Sequence, residues 1–216
     1  MKKATGFDYL LLALLAFGGI GLEVVLAYVI EPFIYGAQMG DWTVFQHILH
    51  WIATCVVWGA VGLVLIREAK KKYDFDILVK GQKVAPWQWV LIGVFVVGSL
   101  MISYFDWNGS KVLKEFYANG WLKFIFQYIY YVFETFLIVL ILIFAQKAFE
   151  TWFRRENIPY GGIIVAVTWG LAHIFTKSLA AGIVCAISGF GFGSVYLLTN
   201  RDIRKTFPII FIMFAL

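Results

Sequence analysis

Six stretches of this sequence are long and apolar enough to cross a bilayer as helices, and that feature narrows the fold more than any other. They are 9–30, 42–66, 87–105, 121–146, 161–175 and 179–199, and a shorter seventh run covers 207–216. Inside hydrocarbon every backbone N–H and C=O must be satisfied within the protein. Only closed barrels and helices of about 20 apolar residues can do this. The composition agrees: 62% of residues are hydrophobic and 14% charged, against about half and a quarter in soluble domains. The expectation is an all-α polytopic transmembrane bundle with six full spans and a partial seventh. It forms one integral domain over 1–216, with the lipid bilayer as its solvent.

Orientation follows from the cations. Lys2, Lys3, the loops 67–86, 147–160 and 200–206 and their flanks carry 14 of the 18 Lys and Arg residues, and the other side carries Lys111, Lys114, Lys123 and Lys177. Positive residues accumulate on the cytoplasmic side, which places the N-terminus there. The first apolar run is too long for an ordinary signal-peptide core and has no small-x-small cleavage site, so it reads as a retained helix. The net charge of +5 is a topology signal and does not point to nucleic acid. The seventh run is too short to span; either the protein continues past it or it packs back against its neighbours. Cys55 and Cys185 sit in apolar runs, where a small sulfur side chain serves packing.

Ionisable groups in hydrocarbon are costly, and each is a functional candidate. The spans hold Glu23, Glu134, His47, His50 and His173. At 1.5 Å per residue, Glu134, His173 and Glu23 come to similar depths, and His50 lies about one turn further out. A convergent Glu–Glu–His–His set in the outer half of the bundle is therefore expected, with Glu134 and His173 as the reactive pair and Glu23, His47 and His50 around them. Gln127, Tyr130, Tyr131 and Glu134 recur at three- and four-residue spacings, which puts an amide-and-phenol stripe on one helix face. Such a set has defined chemistry: a carboxylate acts as a general base on water, and imidazoles bind a divalent metal or stabilise an oxyanion. The bland alternatives are interhelical hydrogen bonds for the glutamates and interfacial hydration for His47 and His50. Ala181, Cys185, Gly189 and Gly193 repeat every four residues, the small-residue stripe of closely packed membrane helices. Ser188 falls at the depth of Glu134 and His173.

The segment 161–216, with Trp169-Gly170-Leu171-Ala172-His173, Gly189-Phe190-Gly191-Phe192-Gly193 and Phe207-Pro208, resembles the C-terminal half of the CAAX protease and bacteriocin-processing (CPBP, or Abi) family of intramembrane proteases. The likeness covers a core of about 121–216. It implies a helical bundle holding a glutamate-and-histidine endopeptidase centre. His173 matches the family's Phe-x-x-x-His motif, with Trp169 in the phenylalanine place. Glu150 and Arg154 keep the second acid and the arginine of the paired-glutamate motif without the first acid, and Met213 stands where a last histidine is expected. Three readings follow: a pseudoprotease that serves as a scaffold or regulator for a membrane or envelope partner; an active endopeptidase using Glu134 and His173; or a small transporter or lipid-binding protein whose acids and histidines hold a proton or ligand. The resemblance implies a bacterial plasma membrane.

Overall fold

The structure, a computed structural model describing residues 4–216, is all-helical among those residues. Seven helical segments follow in order: α1 Gly6–Tyr35, α2 Val44–Tyr73, α3 Pro86–Asp106, α4 Lys111–Phe153, α5 Tyr160–Thr176, α6 Leu179–Leu198 and α7 Ile203–Ala215. Five of them, α1, α2, α3, α4 and α6, are long and apolar enough to cross a membrane. The run 161–175, expected as a full span, forms the shorter α5, and 207–216 becomes part of α7, whose Pro208 lies inside the helix.

Local sequence sets the helix starts. Thr5 with Asp8 and Thr43 with Gln46 form reciprocal capping boxes at α1 and α2, satisfying N–H groups that have no intrahelical acceptor. Pro86 opens α3, where its missing N–H costs nothing, and Ser110, Ser178 and Asp202 cap α4, α6 and α7.

The centre is α4. Every residue from Leu137 to Ala145 is buried, on all sides of the helix, as expected of a helix apolar all round. It packs against α1, α2, α5 and α7. By contrast α3 buries only Gln88 and Ile92 and lies at the periphery, against α6 and α7. At Gly120 the backbone turns to φ 67, ψ 167, outside the range of most side-chain-bearing residues. The first turns of α4 fold back there over the next ones.

Two helices carry a π-helical turn: Leu26–Ile30 in α1 and Ala166–Gly170 in α5. A π turn inserts one residue into the helical repeat and rotates everything beyond it. In α5 it places Gly162 and Gly170, eight residues apart, on one face against α6. A Cβ on Gly162 would lie 2.8 Å from the Gly193 Cα, and one on Gly170 2.7 Å from the Ala186 Cα. The α5–α6 seam is thus backbone on backbone. Gly189 and Gly193 take part as the small-residue stripe suggested, but the stripe ends at Gly182 against Ile174, where Ala181 was expected.

Candidate functional site

The C-terminal end of α1 is built around the π turn at Leu26–Ile30. Eight residues of plain α-helix would leave Glu23 and Glu31 about 80° apart, and the inserted residue brings them within about 20°. Both then face α2. The helix runs on through Pro32 to a left-handed Gly36, and Trp42, buried, ties the connection down by donating from Nε1 to the Ala37 carbonyl at 3.0 Å. Two turns into α2, His50 is completely buried. Its Nδ1 lies 2.6 Å from Glu31 Oε2 and its Nε2 3.5 Å from Glu23 Oε1. Tyr130 of α4 donates its hydroxyl to the same Glu23 oxygen at 2.8 Å, and the Trp42 ring covers the imidazole at 5.4 Å. An imidazole between two carboxylates can hold a proton on either side and hand it across. Among the described residues His50 Nε2, and one and two turns further along the same face of α2 Thr54 Oγ1 and Trp58 Nε1, are buried without a hydrogen-bond partner.

A second polar group gathers over the Gly120 bend. Glu115, buried, accepts from the Tyr131 hydroxyl at 2.6 Å, from Gln127 Nε2 at 3.2 Å and from the Tyr128 hydroxyl at 3.2 Å. Gln127 also donates to Tyr131 at 2.8 Å. Lys111, one turn before Glu115, donates to the Phe214 carbonyl at 2.8 Å and lies over the Tyr131 ring at 4.7 Å. A cation, a carboxylate, an amide and two phenols are thereby fixed between α4 and α7.

Glu134 and His173 form a third group. Trp169 of α5 donates its indole N–H to Glu134 Oε1 at 3.0 Å. His173 Nδ1 lies 2.8 Å from the Trp169 carbonyl one turn back on its own helix, and the indole and imidazole rings meet edge to face at 4.8 Å. Trp169 is therefore the shared neighbour. Glu134 and His173 make no hydrogen bond or ion pair with each other among the described residues.

The expected convergence of four helices on one centre is thus divided. Glu23 and His50 belong with Glu31 and Tyr130, while Glu134 and His173 belong with Trp169. His47 stays outside, its ring against Trp42 at 5.6 Å and Trp51 at 6.1 Å. The stripe on α4 also splits: Gln127 and Tyr131 serve Glu115, and Tyr130 serves Glu23. Ser188 donates to the Val184 carbonyl of its own helix, and Cys185 lies beside Gly170 in the α5–α6 seam. Among the described residues no three His, Cys, Asp or Glu side chains are grouped to hold a metal ion.

At the opposite end of α4, Glu150 accepts from Arg201 at 2.7 Å and from Gln146 at 2.8 Å. Gln146, itself buried, also accepts from the Gly161 N–H at 2.9 Å. Arg154 is the left-handed residue that ends α4, so the acid's arginine partner is Arg201. Met213 is buried in the core, with its carbonyl accepting from Ser99 at 2.9 Å.

Sequence reasoning passed over Glu31, Lys111, Glu115 and Arg201. Glu31 lies one residue past the apolar run 9–30, so it was not counted among the acids inside a span. Lys111 and Glu115 fell in an apparent loop. Comparison with protein-family models, with curated proteins and with solved structures finds no match to this chain.

Proposed function

We propose that this protein is a polytopic membrane protein of CPBP-like architecture that does not hydrolyse peptides and acts as a scaffold or regulator for a membrane or envelope partner. One observation carries the reading: the acid and imidazole of the presumed centre are each committed to Trp169, by its indole N–H and by its carbonyl. A glutamate base and its imidazole must meet across a water to attack a peptide carbonyl. Here the third position, Met213, supplies a thioether. The lysine and arginine asymmetry supports a cytoplasmic N-terminus, and the resemblance to the CPBP family is what favours a bacterial plasma membrane, with α5 and α7 completing the bundle beside five spanning helices.

Replacement of the chromosomal copy tests this directly. A Glu134→Gln, His173→Ala double variant is expected to restore the phenotype of a deletion strain at wild-type protein level. Failure to restore it with the protein present and folded would return the reading to an intramembrane endopeptidase that uses Glu134 and His173.

A second reading rests on a separate observation, the Glu23–His50–Glu31 group, in which His50 and Glu31 are buried and Glu23 is partly exposed. A small transporter or lipid-binding protein with a proton site would need such an acid–imidazole–acid arrangement. Uptake or binding that responds to pH in wild-type vesicles and not in Glu23→Gln or His50→Gln would favour it; the scaffold requires no such response.

A further inference from the structure

An apolar groove with a volume of about 460 Å³ runs between α2 and α4. Its walls are Trp51, Val56 and Leu63 on one side and Phe126, Ile129 and Phe133 on the other, with Gly59 at the floor. From Trp51 to Leu63 is about 18 Å along the helix, close to the roughly 15 Å of hydrocarbon in one leaflet. The outward side chains are exposed: Val56 at 66% and Leu63 at 53%.

Both walls end in a nitrogen base at the same end. On α2, His47 stands one turn beyond Trp51. On α4, Lys123 stands one turn before Phe126, and its ammonium lies 5.8 Å from the Trp51 ring centroid. Lys123 makes no ion pair among the described residues, and it lies close enough to His47 for the two bases to interact electrostatically. The apolar trough is therefore headed by uncompensated positive charge at the level where a lipid headgroup meets the hydrocarbon, with Trp51 as an interfacial aromatic.

We propose that this groove binds one anionic phospholipid, with an acyl chain along the α2–α4 trough and its headgroup phosphate on Lys123 and His47. A lysine near an anionic membrane surface contributes about 1 kcal/mol, which is about a fivefold preference. The apolar trough adds affinity that does not depend on headgroup charge.

Native mass spectrometry of the delipidated full-length protein tests this with phosphatidylglycerol and phosphatidylcholine of identical chains. Wild type is expected to retain one phosphatidylglycerol about fivefold more strongly than phosphatidylcholine. Lys123→Gln should bring the two lipids level. Ala60→Phe, an exposed position lining the groove, should lower retention of both by a similar factor while keeping the preference. Equal retention of both lipids by wild type would overturn the proposal, as would an undiminished preference in Lys123→Gln. Displacement of the lipid by millimolar inorganic phosphate would overturn the acyl component, because a headgroup-only site would behave in that way.

Discussion

The π turns of α1 and α5 are the same backbone device put to different uses. In α5 the inserted residue aligns Gly162 with Gly170, and the α6 backbone comes close enough that a Cβ at either position would meet a Cα below 3 Å. In α1 it aligns Glu23 with Glu31 on either side of His50. One turn removes side chains from a helix face so that packing can close; the other collects charged side chains on a face that packing alone would have kept apolar. The α5 seam gains dispersion contacts along several turns. The α1 group has to offset the desolvation of Glu31 and His50 through their one short contact of 2.6 Å, since Glu23 stands 3.5 Å from the ring and is partly exposed. The two regions should therefore fail differently when disturbed.

The sharpest way to break the comparison is to delete one residue from each turn. Removing Val167 restores a plain α-helix in α5 and rotates Gly170 away from Ala186 by about 100°. Larger side chains then meet the α6 backbone, and the expected outcome is a protein that does not accumulate in the membrane. Removing Val29 rotates only the last turns of α1, so the bundle should still assemble. A ΔVal167 protein that purifies as a monodisperse species would show that the seam tolerates either phase.

The next effect in size belongs to His50. Truncation to Ala leaves the buried Glu31 without its imidazole partner and removes the bridge to the partly exposed Glu23. Losing one member of a buried ionic group costs about 3–5 kcal/mol, measured as a shift in the midpoint of unfolding in detergent. Gly193→Val is the counterpart in the seam. Its Cβ would lie 2.5 Å from the Gly162 Cα, backbone that cannot move aside cheaply, and overpacking of this kind costs about 1–3 kcal/mol. If Gly193→Val proves the more damaging of the two, the ionic group is less tightly coupled to the fold than its burial implies.

Much of this division was visible in the sequence, and the part that was not has a clear cause. Apolar run length located the five long helices, although it also counted 161–175 as a full span where the shorter α5 forms. The four-residue repeat Cys185, Gly189, Gly193 located the seam. Depth could be counted at 1.5 Å per residue, which set Glu134 and His173 level on consecutive segments, and in the structure both reach Trp169 rather than each other. Azimuth could not be counted. A single inserted residue leaves no trace in a run where every position is apolar, so neither π turn was legible. In a plain α-helix Glu31 would lie about 80° around from Glu23. Gly120 was equally silent. Its positive φ folds Lys111 and Glu115 back over Gln127 and Tyr131, a contact across twelve or more residues that helical spacing cannot propose.

The smallest expected effects separate charge from shape within each region. Glu31→Gln keeps the size of the side chain and a carbonyl oxygen that can accept from His50 Nδ1, but not the charge. The expected loss is about 1 kcal/mol, the difference between a charge-assisted and a neutral hydrogen bond. Trp169→Phe keeps the aromatic face against His173 and removes the only side-chain donor that Glu134 has among the described residues. A buried acceptor left without its donor costs about 1–3 kcal/mol. Trp169→Phe should therefore be at least as damaging as Glu31→Gln, even though the α1 group looks the more strongly charged. The reverse order would mean that Glu134 finds another donor when the indole is gone. Lys177 and Lys111 are the cations whose charge acts on Glu134, so combining Trp169→Phe in turn with Lys177→Met and with Lys111→Met decides it: additive losses in both keep Glu134 dependent on the indole alone, and a double loss well beyond the sum places that lysine as its reserve partner.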